Sequence, residues 1–113
     1  MVQVNDFSRN KKTPVSVARA VEDIVGCKWS LEVLGALRRG VVRPGAIQKH
    51  VAGLSTKVMN ERLAKMQRYG IIAKDTFPEV PPRVEYRFTP FGERFLEILD
   101  AIDQLQTDIE GME

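Results

Sequence analysis

The chain has 113 residues, of which 43% are hydrophobic and 28% charged, and a net charge of +2. This length and balance suit one domain with a single core and argue against wholesale disorder. Cys27 is the only cysteine and His50 the only histidine, which excludes an internal disulfide and a Cys/His zinc cluster. A Cys-His or Ser-His-Asp catalytic set would have to use His50.

The first part of the chain reads as an arm followed by two helices. Residues 1–13 are polar and predict a flexible N-terminal arm, and residues 14–113 predict one domain. Apolar residues at three- and four-residue spacing predict a first helix over 17–25. A second helix is predicted to follow Trp29 and to end near Arg38, where basic residues precede Gly40. This pair of helices is interpreted as scaffold.

The next two predicted helices have the spacing of a helix-turn-helix. One should begin about Pro44 and close at 52–54, and the other should cover 56–69 and stop at Gly70. Ser55 precedes the second of them and is a good N-cap. Two short helices joined by a turn that contains Gly are typical of this motif.

Polar residues on one side of the second helix are candidates for reading DNA. Asn60 can pair with adenine, Thr56 can meet a thymine methyl group, and Lys57 can reach guanine or phosphate. The alternative is an ordinary solvated helix face. The candidates on this helix are Ser55, Thr56, Lys57, Asn60, Glu61, Arg62 and Lys65.

Residues 71–77 and 83–88 are rich in β-branched and aromatic residues and predict two strands joined by a Pro-rich turn. A hairpin that follows a recognition helix is a wing, and Arg83 at its tip suits a narrow minor groove or a phosphate. The alternative is a hairpin that only covers the core. We expect a mainly α protein with a small β-hairpin, a winged helix-turn-helix that binds double-stranded DNA.

The charge distribution agrees with this expectation. Residues 1–76 contain 14 Lys and Arg against 6 Asp and Glu, a net charge of +8, whereas residues 77–113 contain 3 against 9, a net charge of −6. A basic part of this kind suits a polyanionic partner. Arg43, Lys49 and Arg62 are the candidates for phosphate contacts.

The C-terminal segment, about 90–110, predicts a long helix with a heptad-type seam whose spacings are 4, 3, 4, 3 and 4 residues. We expect this seam to form a homodimer, with Val17, Val21 and Ile24 completing the interface; the alternative is a helix that packs only on its own domain. The seam consists of Phe91, Phe95, Ile98, Ile102, Leu105 and Ile109.

Several other classes of protein are disfavoured by the sequence. No apolar run approaches the ~18 to 20 residues that span a bilayer, and residues 1–12 lack the apolar core of a signal peptide. The glycines are spread singly, so a phosphate-binding loop is absent from the sequence. We expect a cytoplasmic protein that is not an enzyme, has no membrane partner and requires neither metal nor cofactor.

Three sequence strings resemble the HxlR-type branch of bacterial winged-helix transcription regulators, which are related to MarR-like proteins. The resemblance covers about residues 15–100 and implies a homodimer on inverted-repeat operators. The strings are Gly26-Cys27-Lys28-Trp29, Leu54-Ser55-Thr56-Lys57-Val58-Met59-Asn60-Glu61-Arg62-Leu63 and Phe77-Pro78-Glu79-Val80-Pro81-Pro82-Arg83-Val84-Glu85-Tyr86, followed by Thr89-Pro90-Phe91-Gly92.

The chain also departs from the family's pattern. Many members have a Cys-Pro before the first helix, where this chain has Val15 and Ser16, while Cys27 takes the usual place of a second Gly. Beside Lys28, Cys27 is a candidate redox sensor, and a buried apolar filler is the alternative. A small-molecule effector near Trp29 and Tyr69 is a further hypothesis. A protein-interaction module without DNA binding is the competing function, favoured by the acidic Glu61.

Overall fold

The computed structural model describes residues 16–112, so the predicted arm 1–13 lies outside the described part of the chain. The described residues form five helices and one antiparallel hairpin, and the predicted winged helix-turn-helix fold is confirmed. The elements are α1 Val17–Val25, α2 Lys28–Arg38, α3 Pro44–His50, α4 Thr56–Arg68, β1 Ile72–Phe77, β2 Arg83–Phe88 and α5 Pro90–Gly111.

Helix α2 is the centre of the fold and packs against α1, α3 and α4. Its Val33, Leu34 and Leu37 are buried together with residues from the other helices. Ile24 of α1 and Phe95 of α5 are fully buried within this core. Because neither side chain has exposed surface, the expectation that Ile24 and Phe95 lie at a dimer interface is corrected: both stabilise the protomer from inside.

The turn between α3 and α4 depends on a glycine with a positive φ angle. Gly53 has φ +82°, a conformation that other residues rarely adopt, and it lies beside the Trp29 ring. Leu54 then enters the core, and Ser55 caps α4 by accepting a hydrogen bond from the Val58 N–H at 3.1 Å. The predicted helix-turn-helix therefore has the turn and the cap that the sequence indicated.

Strands β1 and β2 pair in a register that runs from Ile72 opposite Phe88 to Phe77 opposite Arg83. The first strand begins one residue later than predicted, because the Ile71 N–H donates to the Met66 carbonyl at the end of α4. Outside the hairpin, the Tyr86 N–H donates to the Val42 carbonyl at 3.0 Å. This bond ties the wing to the segment that leads into α3.

Helix α5 has two halves with different surroundings. Thr89 caps its first turn by accepting from the Gly92 N–H at 2.9 Å, and Leu96 and Leu99 are buried. Residues 101–112 are all exposed, so the second half projects from the core. Within the described residues, no helix combines the length and apolar character that would let it cross a bilayer.

Candidate nucleic-acid interface

The first turn of α4 is held in place by a side chain from α3. Thr56 Oγ1 donates to Gln48 Oε1 at 3.1 Å, and Gln48 Nε2 donates to the Leu54 carbonyl at 3.2 Å. Gln48 therefore joins both helices of the motif to the turn between them. The sequence contained no signal for this role, because Gln48 and Thr56 are eight residues apart on different helices.

Helix α4 separates apolar from polar residues cleanly. Met59, Leu63 and Met66 are buried against the core, as the predicted stripe required. Arg62 and Lys65 flank this stripe and are half-buried, so they are less available to a ligand than the rest of the face. The exposed candidates are Ser55, Thr56, Lys57, Asn60 and Glu61.

Within this exposed face, two charged residues pair and one polar residue stays available. Lys57 Nζ lies 4.0 Å from Glu61 Oε2, one helical turn away, so the acidic residue is partly neutralised by its neighbour. None of the hydrogen bonds among residues 16–112 uses the Asn60 side chain. The amide of Asn60 can therefore both donate to and accept from a base edge without breaking an existing bond.

Cys27 precedes α2 as its N-cap residue and is half-buried. Burial opposes the thiolate, but the Ser30 side chain, backbone N–H groups at the start of α2 and the charge of Arg62 outweigh it, and the pKa of Cys27 is lowered. Arg62 Nε is itself buried with no hydrogen-bond partner among the described residues. The charge of Arg62 thus acts on the Cys27 thiol, an influence that the sequence did not indicate.

The wing lies beside the start of α3. Arg43, the N-cap residue of α3, has its Nε atom 3.8 Å from Glu85 Oε2 of β2. Arg83 is opposite Phe77 at the end of the hairpin and is half-buried. Lys49 is exposed near the other end of α3. Three of the residues predicted to contact phosphates or a groove are therefore on α3 and the wing, the elements that precede and follow α4 in the chain. They are Arg43, Lys49 and Arg83.

The predicted interface residues of α5 and α1 divide by exposure. Ile102, Leu105 and Ile109 have exposed fractions of 41%, 61% and 47%. Ile98 and Val21 are half-buried. Val17 is 40% exposed, and Leu31 of α2, which the sequence did not suggest, is 38% exposed.

Trp29 and Tyr69, the two aromatic residues considered for an effector, are both half-buried. Tyr69 donates a hydrogen bond from its hydroxyl to Asp23, which joins α4 to α1 and raises the pKa of Tyr69. A separate groove runs between α2 and α5. Its lining is mainly apolar and includes Val25, Leu31, Leu34, Leu99 and Ile102.

Comparison with known proteins agrees with this geometry. The model of the HxlR-like helix-turn-helix family matches residues 24–112. A Synechocystis protein named as an HTH-type transcriptional regulator is 40% identical over 88 residues, which cover 78% of this chain and 65% of that protein. The Escherichia coli HTH-type transcriptional regulator YtfH is 33% identical over 85 residues, 75% of this chain and 68% of its own length. The chain thus spans slightly less than two thirds of the Synechocystis relative.

Solved structures show the same architecture. A crystal structure of a protein from Enterococcus faecalis V583, assigned to the MarR family of transcriptional regulators, superimposes with a TM-score of 0.77 at 29% identity. The superposition covers 85% of this chain and 86% of that one. The fold and the relatives together are those of transcriptional regulators with a helix-turn-helix.

Proposed function

Because the chain belongs to the HxlR-like helix-turn-helix family of transcriptional regulators, we propose that it binds inverted-repeat operators sequence-specifically as a homodimer. The observation that carries this proposal is the exposed polar face of α4, which stands opposite the buried stripe of the same helix. Thr56, Lys57 and Asn60 read base edges in the major groove. Ser55, Glu61 and Lys65 lie around these three residues.

Contacts to the DNA backbone surround the reading face. Arg43, Lys49 and Arg62 contact phosphates, and Arg83 of the wing enters the adjacent minor groove. Each phosphate contact releases counterions, so the binding constant falls steeply as salt rises. Lys57 offsets the charge of Glu61 at 4.0 Å, and the one acidic residue on the face therefore does not oppose DNA as strongly as an unpaired carboxylate would.

The homodimer is supported by the projecting half of α5. Residues 101–112 are exposed, yet Ile102, Leu105 and Ile109 form an apolar stripe along them. A free helix of this length is marginal in water, and its stability comes from packing of an apolar face. A second copy of the same helix supplies that packing, with Ile98, Val17 and Val21 at the border.

Binding to duplex DNA provides the decisive experiment. Fluorescence anisotropy should show binding of random-sequence duplex with an affinity that decreases steeply with salt, and selection from a random pool should enrich an inverted repeat. Half-sites about one helical turn apart are expected for a dimeric helix-turn-helix. A protein that is dimeric but binds no duplex at near-physiological salt would contradict the proposal and favour a protein-interaction module.

A further inference from the structure

Four charged side chains meet where the wing approaches α3. Arg83 Nη2 lies 3.2 Å from Glu79 Oε2, and Arg83 Nε lies 3.6 Å from Glu85 Oε2. The same Glu85 oxygen is 3.8 Å from Nε of Arg43. Two arginines proposed to contact DNA therefore each have a carboxylate partner in the free protein, and they share Glu85.

The two carboxylates differ in their positions. The side chain of Glu85 is 31% exposed and lies on β2, where it faces one arginine on the same strand and another from α3. The side chain of Glu79 is 51% exposed and belongs to the loop of the hairpin. Glu85 thus connects two elements, whereas the more exposed Glu79 pairs with Arg83 alone among the described residues.

Arg83 itself is held by more than its ion pairs. Its guanidinium lies over the Phe77 ring at 4.1 Å from the ring centre, directly across the hairpin. This stacking and the contact with Glu85 hold the Arg83 side chain in position when Glu79 leaves it. Exchange of Glu79 for another anion therefore requires little rearrangement of Arg83.

We propose that Glu79 is a displaceable counter-ion that the DNA backbone or groove replaces on Arg83, whereas Glu85 is a positioning residue that holds Arg43 and Arg83 at a fixed separation. The inference rests on the proposed DNA binding. It assigns opposite effects on affinity to two acidic residues of one surface, although each carries the same charge.

The opposite signs follow from what each carboxylate does in the bound state. Glu79 must leave Arg83 when DNA arrives, so its removal makes binding tighter, by roughly two- to fivefold for an exposed pair. Glu85 remains in place and keeps two arginines ordered before binding. Without Glu85 the two arginine side chains are more mobile in the free protein. DNA binding must then order them, and this entropic cost weakens binding by roughly three- to tenfold.

The test compares Glu79→Gln and Glu85→Gln on the same duplexes, one of random sequence and one selected from a random pool. Affinities are measured at physiological ionic strength, where the Debye length of about 8 Å screens general repulsion by a distant carboxylate. Glu110→Gln, near the end of α5, is the matched control for loss of one negative charge. Circular dichroism of each variant checks that the fold is retained.

A double-mutant cycle identifies the partner. In the Arg83→Ala background, Glu79→Gln should no longer tighten binding, because the pair it breaks is already gone. Glu85→Gln should still weaken binding there, through its contact with Arg43.

The outcomes separate this inference from the proposed function. The inference is wrong, while DNA binding stands, if both substitutions tighten binding by the same factor as Glu110→Gln. It is also wrong if Glu79→Gln tightens binding as much in the Arg83→Ala background as in the unmodified protein. If the unmodified protein binds no duplex, the proposed function fails and this inference fails with it.

Discussion

Arg38 donates two hydrogen bonds of 2.9 Å each to the carboxylate of Asp100, and this bidentate pair joins α2 to α5. The pair lies where α5 leaves the core, since Leu99 is buried and residues 101–112 are exposed. The Arg38–Asp100 pair therefore fixes the last turn of α5 that packs on the protomer's own core. The direction of the projecting half depends on this junction.

Substitution of Asp100 should destabilise the fold in a pH-dependent manner. Hydrogen bonding from Arg38, followed by its charge, holds the pKa of Asp100 below its usual value. A carboxylate with a lowered folded-state pKa stabilises the protein above its unfolded-state pKa, and the contribution is lost as the pH falls through the folded-state value. Asp100→Asn should lower the melting temperature modestly near pH 7 and much less at about pH 3.

The matched control is Asp108→Asn, which removes the same charge from the exposed part of α5. The Gln104 amide donates to Asp108 at 2.9 Å, a contact that the asparagine oxygen can also accept. Its melting temperature should stay close to that of the unmodified protein at both pH values. Equal losses for the two variants would show that the Arg38 pair contributes nothing specific.

Gly92 should tolerate no larger residue, because the backbone of Ile71 lies against it. A Cβ atom built at Gly92 would be 1.9 Å from the Ile71 carbonyl oxygen, an overlap that requires α5 to move away from the residue that precedes β1. We expect Gly92→Ala to lower the free energy of unfolding by about 2 kcal/mol or more, measured by denaturant titration. Gly45→Ala is the control, since a Cβ there meets no atom within 4 Å.

The local elements were predictable because their signals are local. The cap at Ser55 and the positive φ at Gly70 mark the ends of α4 in the sequence, and the structure places both there. The wing was predictable for the same reason, since alternation and three prolines lie in one short stretch. Element type and order therefore followed from residues that are neighbours in the chain.

Contacts between distant segments were not predictable. Arg38 and Asp100 are 62 residues apart, and no periodicity couples them. The seam of α5 shows one continuous spacing, yet Phe95 is fully buried and Leu105 is 61% exposed. Sequence spacing identifies one face of a helix, but it does not show where the protomer's own core ends along that face. The position of that boundary depends on how α2 packs.

Cys27 should react as a thiolate at a lower pH than a free thiol. Ser30, the backbone at the start of α2 and Arg62 lower its pKa against the effect of burial, and the thiolate is the nucleophile. As the pH is lowered, the rate of alkylation of Cys27 by an uncharged reagent should begin to decrease at a lower pH than the rate for N-acetylcysteine. Arg62→Gln should move the profile upward, and Arg68→Gln, on the same helix, should leave it unchanged. A profile identical to that of the free thiol would exclude a reactive Cys27.

A charged side chain in the apolar stripe of the projecting half of α5 should weaken the proposed homodimer. Ile102→Asp places a carboxylate where the proposed dimer buries an apolar side chain, and the dissociation constant should rise about tenfold or more. Thr107→Asp, on the same helix but outside the seam, is the control and should leave the dimer intact. Sedimentation velocity measures both. A protein that is monomeric without substitution, or an Ile102→Asp variant that dimerises normally, would contradict the proposed interface.

Asn60→Ala should mainly relax sequence preference. The Asn60 amide is exposed and unused by the protein, and a bidentate pair with adenine provides about 1–3 kcal/mol of discrimination. Affinity for the selected operator should therefore fall by about one to two factors of ten, while affinity for random duplex changes little.

In contrast to Asn60→Ala, Lys49→Ala should leave sequence preference unchanged, because a phosphate contact carries no sequence information. It should weaken binding to both duplexes equally and reduce the salt slope by about 0.9. Anisotropy titrations of the two variants on both duplexes at several salt concentrations give all four affinities. If Asn60→Ala weakens both duplexes equally, as a phosphate contact would, then Asn60 does not read a base, and the reading of sequence must come from Thr56 and Lys57.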